Sequence, residues 1–410
     1  MRIIVLNDHG HINGGATQVA IAGLNALADA GFDVTFVSSV EPVDSSIHRD
    51  KIKVVNFGFN DLLSNPSRIN AAIYGIWDPR CAKRFDELLN GFDPTDTIIH
   101  LHTWVKSLSS SVVRKAIKRK FKIVCTLHDY FTVCPNGAFY NFQQLHQCEL
   151  APMFLSCIST HCDSRSYSQK LWRIARHTIQ RKFGLIPDGI NNFITISDYS
   201  EAILRRWLPT DAKYYRVRNP IDIGKMPPAV PSVNNEFTFI GRLSPEKGAN
   251  LFAVAALASN VRAIFVGSGP EERTIRESNP NAELLGWQDR SGVIKALRSS
   301  RAIVFPSRTH ETQGLVVSEA AALGVPSIVS DGCAARENII DGKTGLLFHT
   351  GDVSDLASKL LLLNSDNELA ESLGKAAYDG YWADPCTQER HASELICCYK
   401  DILAFKDRAV

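Results

Sequence analysis

Two carboxylates, Glu311 and Glu319, flank Gly314 in the stretch SRTHETQGLVVSEAAALGVPSIVSDG that runs from Ser307 to Gly332. The residues after Gly314 have helical character from Leu315 to Leu323, and Gly324 and Pro326 stop the helix. The first amides of a helix lack partners within it and sit at the positive end of its dipole. Gly314 has no side chain, so an anion can approach the N–H groups of Gly314, Leu315 and Val316. A carboxylate beside an anion is costly unless it accepts hydrogen bonds, and sugar hydroxyls are suitable donors. Phosphates at the helix start, one acid on a sugar and one on a ribose together suit a nucleotide-sugar.

Three further groups could join such a site. Gly241-Arg242-Leu243-Ser244-Pro245-Glu246-Lys247-Gly248 holds one Arg and one Lys between glycines, two cations for adjacent phosphates. Asn13-Gly14-Gly15-Ala16 is a strand-to-helix turn where backbone can touch a phosphate. It is not the G-x-G-x-x-G fingerprint, which disfavours a nicotinamide cofactor. Histidines close two strands: His100 and His102 after Thr97-Ile98-Ile99, and His128, followed by Asp129, after Ile123 to Leu127. Alternation puts His100 and His102 on one face; with no third ligand in view, a metal pair is disfavoured.

The elements that must position these residues follow a repeating strand–turn–helix order. Residues 3–6, 34–37, 54–57, 97–102, 123–127 and 192–197 read as strands in the first half. Helices are expected over Thr17 to Ala30, Ala82 to Leu89, Ser164 to Phe183 and Glu201 to Trp207. A Pro-rich polar linker, Lys225 to Asn235, separates them from a second series: strands at 237–240, 263–266, 302–305 and 327–330, helices from Asp352 and Asn367, and a last helix from about Gln388 to Phe405.

Glu311 through Glu319 resembles the E-x7-E signature of the retaining glycosyltransferases of family 4, which have two Rossmann-like domains (GT-B). Gly241 to Gly248 is similar to that family's G-R-L-x-x-x-K-G, Val266 to Pro270 to its V-G-x-G-P, and Asn219 to Asp222 to its N-G-V-D turn, with Pro220 where Gly is usual. The resemblance covers nearly the whole chain. It implies an α/β fold of two Rossmann-like domains facing a cleft, with the C-terminal helix crossing back to the N-terminal domain. On that basis residues 1–222 form the acceptor-binding domain, 236–387 the nucleotide-sugar domain, and 388–410 the returning helix. The roles it implies are His128 at the reacting sugar, Arg242 and Lys247 on the leaving diphosphate, Glu311 on the donor sugar and Glu319 on the ribose. Gly14 and Gly15 face the diphosphate, and Gly314, Leu315 and Val316 bind it. One departure is Gln313, where relatives carry an aromatic residue; it leaves donor identity open.

Composition is that of a soluble globular protein. The chain has 410 residues, 45% hydrophobic and 21% charged, and a net charge of +2, which gives no electrostatic case for nucleic acid. No apolar run approaches a membrane span, and the chain opens on a strand, so a cytoplasmic location is expected. A basic amphipathic stretch, Lys106 to Lys122, reads first as a solvated face and second as a peripheral contact with the inner face of a membrane. Cys134, Cys148, Cys157 and Cys162 crowd one polar, aromatic-rich segment. Buried thiols are the default there, and a structural zinc is the alternative; no metal is expected in the chemistry. The activity implied is transfer of a sugar from a UDP- or GDP-sugar to a hydroxyl of a glycan or lipid-linked acceptor, in polysaccharide biosynthesis. The competing readings are a nucleotide-sugar epimerase and a non-catalytic nucleotide-sugar-binding or scaffold protein.

Overall fold

The computed structural model describes residues 1–404. Apolar, β-branched runs such as Ile3–Leu6 and Ile98–Leu101 are buried throughout, the condition of strands covered by helices on both faces. In the first half these strands are β1 (Arg2–Leu6), β2 (Asp33–Ser38), β3 (Ile52–Asn56), β4 (Thr97–Leu101) and β5 (Lys122–Thr126). A short antiparallel hairpin of β6 (Tyr140–Asn141) and β7 (His146–Gln147) follows, then β8 (Asn192–Thr195) and β9 (Lys213–Arg216). Apart from the hairpin they form one parallel sheet in the order β3-β2-β1-β4-β5-β8-β9. The second half repeats the design with β10 (Glu236–Ile240), β11 (Arg262–Val266), β12 (Glu283–Gly286), β13 (Ser300–Phe305), β14 (Ser327–Ser330) and β15 (Gly345–Phe348), all parallel, in the order β12-β11-β10-β13-β14-β15. Both orders reverse direction beside the first strand of their sheet, which is the doubly wound, Rossmann-like pattern. The expected α/β fold with two such domains is therefore the observed one.

The chain divides into two compact units. The first takes Met1–Ala138, Leu150–Pro220 and the C-terminal stretch from Cys386; the second takes Phe139–Glu149 and Ile221–Pro385. The hairpin segment 139–149 thus belongs with the second unit, although its place in the chain puts it within the span 1–222. Gln147 is one reason: its Nε2 donates to the Gly332 carbonyl at 2.6 Å. Nothing in a short run of aromatic and polar residues announces a partner so far along the chain.

Each unit has its own core. In the first, Ile3, Val5, Phe36, Ile98 and Val124 of the sheet pack with Ile21, Leu24 and Leu27 of the helix Gly15–Asp29. The C-terminal helix, Gln388–Ala404, returns to this core with Leu395, Cys398, Tyr399 and Ile402, all buried. The rest of its expected span, 405–410, lies outside the described residues. In the second unit Phe237, Phe239, Phe252, Phe265 and Phe348 build the core with Leu356, Leu360 and Leu373 from the helices Val353–Ser365 and Asn367–Ala383.

Local capping places the helix starts. Ser166 Oγ accepts from Gln169 N, so the helix expected from Ser164 begins at Tyr167 and runs to Lys182. Ser197 caps the helix Asp198–Leu204 in the same way through Ser200 N. The basic stretch at 106–122 is less uniform than its composition suggests: only Ser110–Lys118 is helical, with Val112, Val113 and Ala116 buried. Lys115 and Arg119 pair with Asp86 at 3.0 and 2.6 Å. Among the described residues, no helix is long and apolar enough to cross a membrane.

Candidate active site

Loops that leave the carboxyl ends of parallel strands carry the candidate residues of both units. In the second unit, β10 and β13 are neighbours, so the loops after them run side by side. Gly248 lets them touch: it has φ 72°, and a Cβ there would lie 2.0 Å from the Pro306 carbonyl oxygen. Lys247 is thereby set against the turn 307–311. Its Nζ pairs with Glu311 Oε1, which also accepts from Ser307 Oγ at 2.9 Å. Burial works against both charges, and the pairing wins. The carboxylate beside it holds the Lys247 ammonium above the ordinary lysine range, and the ammonium holds Glu311 below the ordinary carboxylate range. The two side chains keep 35% and 16% of their surface exposed, so the pair borders solvent.

Gly314 opens the helix Leu315–Ala322 in a left-handed conformation, φ 88°, with no side chain capping it. A Cβ at Gly314 would lie 2.7 Å from that of Ala335, so only glycine fits. The amides of Leu315 and Val316 begin that helix. Glu319 lies on it, buried at 8% exposure. Its Oε1 accepts from Arg290 Nη1 at 2.5 Å, and Arg290 Nη2 donates to the Asp222 carbonyl at 2.5 Å. Arg290, the first residue of the helix Arg290–Arg298, escaped the sequence reading. The signal available was an arginine just beyond Gly286-Trp287-Gln288. Arg242 stands exposed in the same loop as Lys247. The second unit therefore brings together Lys247, Glu311 and Gly314, with Glu319 one to two helical turns on.

In the first unit the candidates follow the carboxyl ends of the three central strands, β1, β4 and β5. Gly14 and Gly15 are exposed at the start of the helix Gly15–Asp29, after β1. His102 and His128 follow β4 and β5. The His102 Nδ1 and His128 Nε2 atoms are 2.8 Å apart, and the rings stack at 5.0 Å. Behind them His100 bonds Tyr399 Oη at 2.6 Å and Thr126 Oγ1 at 2.7 Å. Burial pushes His128 down to about 3 and holds His100 and His102 well below the usual histidine value. All three are neutral at pH 7, so each ring offers one donor and one acceptor nitrogen. Asp129 caps the following turn, accepting from Phe131 N at 2.9 Å, and burial raises it to about 6.

Sequence reading also missed Asp8. At the end of β1 its carboxylate accepts the backbone N–H groups of Lys106, Ser107 and Leu108, each at 2.9 Å. It thereby shapes the loop that follows His102. A lone acid after a strand carries no mark of that role.

The cysteine segment is split. Cys148 belongs to the hairpin of the second unit, while Cys134, Cys157 and Cys162 are buried in the first. Among the described residues, no group of three or more His, Cys, Asp or Glu side chains is placed to hold a metal ion. The amine of Lys170 sits instead against the sulfurs of Cys157 and Cys162.

Comparison with known proteins agrees with the geometry. Residues 13–225 match the family model "Glycosyltransferase Family 4", and residues 226–380 match "Glycosyl transferases group 1". A phosphatidyl-myo-inositol mannosyltransferase of Mycobacterium leprae is 30% identical over 43% of this chain and 51% of its own length. The capsular polysaccharide biosynthesis glycosyltransferase CapM of Staphylococcus aureus is 30% identical over 35% of this chain and 40% of its own. The matched part of the chain spans only about a quarter to a half of such curated relatives. Across the whole fold, HepE of Anabaena, solved with UDP-glucose, superposes with a TM-score of 0.68 at 15% identity, covering 98% of this chain and 100% of that one. With two doubly wound sheets, acids flanking a helix-opening glycine and a family model that spans more than half of its residues, the chain belongs to glycosyltransferase family 4.

Proposed function

We propose that the protein moves a sugar from a UDP- or GDP-sugar to a hydroxyl of a glycan or lipid-linked acceptor, with retention at the anomeric carbon, in polysaccharide assembly. The observation that carries this reading is the convergence of Lys247 and Glu311 beside the open helix start at Gly314. A cation, an acid and an uncapped helix start close together suit a sugar diphosphate. Lys247, Arg242 and the Gly314, Leu315 and Val316 amides take the charge that builds on the departing diphosphate. Glu311 accepts from a hydroxyl of the donor sugar. Glu319, steadied by Arg290, accepts from the ribose. For the first unit, the family resemblance assigns the backbone of Gly14 and Gly15 and the neutral ring of His128 to donor binding.

In the reaction the acceptor oxygen bonds to the anomeric carbon on the face from which the diphosphate leaves. The bond from that carbon to the phosphate oxygen breaks, and the acceptor's proton passes to that oxygen. The positive charge comes from Arg242 and Lys247, so turnover should persist in excess chelator. The relatives named above act on a phosphatidyl-inositol and in capsule synthesis, which supports a lipid-linked or glycan acceptor. A lipid-linked acceptor would bring a cytoplasmic enzyme to the inner face of a membrane, and co-sedimentation with anionic vesicles tests that contact.

The decisive assay follows nucleoside diphosphate release from UDP- and GDP-sugars with and without acceptor. Release that requires acceptor supports the transferase. Conversion of the donor to an isomer with no acceptor present would mean an epimerase. Binding without any turnover would mean a scaffold.

A further inference from the structure

We propose that Lys170 and Cys162 form a redox-controlled covalent bridge, Nζ–O–Sγ, at the start of the helix Tyr167–Lys182. Lys170 is 1% exposed. Its Nζ donates to Cys162 Sγ at 3.0 Å and to Cys157 Sγ at 3.6 Å. Asn136 Nδ2 donates to the same Cys162 sulfur at 3.3 Å, and Cys134 Sγ donates to Asn136 Oδ1 at 3.1 Å. A lysine this deep is ordinarily matched by a carboxylate. Here its hydrogen-bond partners are sulfurs. Burial opposes the Lys170 charge, and the Cys162 hydrogen bond with the nearby sulfurs of Cys157 and Cys134 outweighs it, so the ammonium is held above the ordinary lysine range.

Cys162 Sγ receives both N–H donors and is the sulfur nearest the Lys170 amine, which makes it the sulfur placed to join that nitrogen on oxidation. The oxidant is dioxygen. Nitrogen and sulfur each lose two electrons. One oxygen atom becomes the bridge, and the other leaves as water with the two hydrogens released from the amine and thiol. An inserted oxygen spans nearly the gap the two atoms already keep. A direct sulfur–nitrogen bond would instead draw the helix and its leading loop together.

The bridge would reach the candidate site through the same helix. Gln180 Nε2 donates to the Phe131 carbonyl at 2.9 Å, and the Arg176 guanidinium lies 5.2 Å from the Phe131 ring while donating to the Val105 carbonyl. Phe131 follows His128 and Asp129 in one turn. Locking Lys170 to the loop before the helix therefore stiffens the brace beneath that turn. Oxidation becomes a means of setting stability or turnover, whatever the sugar transferred.

The test uses the wild-type full chain, held in air-saturated buffer or in dithiothreitol, then digested with trypsin under non-reducing conditions. In air, the peptides containing Cys162 and Lys170 should be joined, one oxygen heavier and two hydrogens lighter than their sum. Cleavage after Lys170 should be lost, and dithiothreitol should reverse both changes. Cys162→Ser and Lys170→Arg should each abolish the linkage, and Cys157→Ser should keep it. The oxidised protein should melt several degrees higher than the reduced one. A Cys157–Cys162 disulfide, sulfinic acid at Cys162 with normal cleavage after Lys170, or a metal present at one equivalent and lost in Cys162→Ser would each overturn the proposal. So would unmodified peptides after long exposure to air.

Discussion

Lys247 and Glu311 lie on different loops of the second unit, yet each is the other's partner at the centre of the candidate site. Removing either leaves the remaining charge unpaired as well as absent from the diphosphate or the sugar. Lys247→Ala should lower kcat by roughly 100- to 1,000-fold, the usual loss for one group that stabilises transition-state charge. Near-normal acceptor-dependent release would remove Lys247 from the mechanism. Glu311→Gln should fail in a different way, raising KM for the donor while the folded protein persists. In the first unit, the buried histidines make stability depend on pH. His128 titrates near 6.5 when unfolded and near 3 when folded, and His100 and His102 are depressed in the same direction. Between those values the unfolded chain binds more protons, so stability falls as pH drops from 6.5 toward 3, by up to about 1.4 kcal/mol per pH unit for each histidine. Asp129 opposes this between 3.8 and about 6, because its folded carboxyl holds a proton the unfolded one has lost. Burial depresses His177 and His391 of the same unit as well, so five histidines against one raised acid leave acid destabilisation as the net result. Urea midpoints across that range should fall with acidity, and His128→Asn should flatten the fall; a profile independent of pH would contradict the buried neutral assignment.

At the scale of elements, glycines decide how close the loops come. Gly248 has both a left-handed φ and the Pro306 carbonyl 2.0 Å from where its Cβ would stand. Gly14 has nothing within 4 Å of that position and an extended backbone, φ 161°. Gly248→Ala should therefore cost at least about 1–3 kcal/mol and pull Lys247 from its place, whereas Gly14→Ala should leave the melting temperature nearly unchanged. Comparable melting curves for the two variants would mean the loops can separate freely. Asp8 shows the same logic in reverse, one carboxylate serving three amides of a distant loop. Asp8→Ala strands those donors, and a loss of several kcal/mol in denaturant unfolding is expected, at about 1–3 kcal/mol for each buried amide left unpaired.

At the scale of the whole molecule, the C-terminal helix completes the first unit. Its Leu395, Cys398, Tyr399 and Ile402 finish the core that Ile21, Leu24 and Leu27 begin. A chain ending before Gln388 should expose that face and aggregate, while Tyr399→Phe should leave the buried His100 nitrogen without its partner, at about 1–3 kcal/mol. A soluble, cooperatively folding truncation would show that the helix is dispensable. Much of this architecture was legible in the chain before folding was considered. Alternating apolar runs and glycine turns announced two parallel α/β sheets, because buried strands must be apolar and strand-to-helix turns need glycine. Glu311, the Arg242 and Lys247 loop and the histidine after β5 stood out by residue type at strand ends, and Glu319 by its spacing from Glu311 along the following helix. Folding alone settled which side chains answer one another: Lys247 with Glu311, Arg290 with Glu319, Asp8 with three amides, Lys170 with two sulfurs, and the 139–149 hairpin with the second unit. All but the Lys170 contacts join positions far apart along the chain, and those lie 8 and 13 residues away across a loop. Periodicity reports a residue's face and its neighbours within a few positions, and carries no record of what the sheet order later sets beside it.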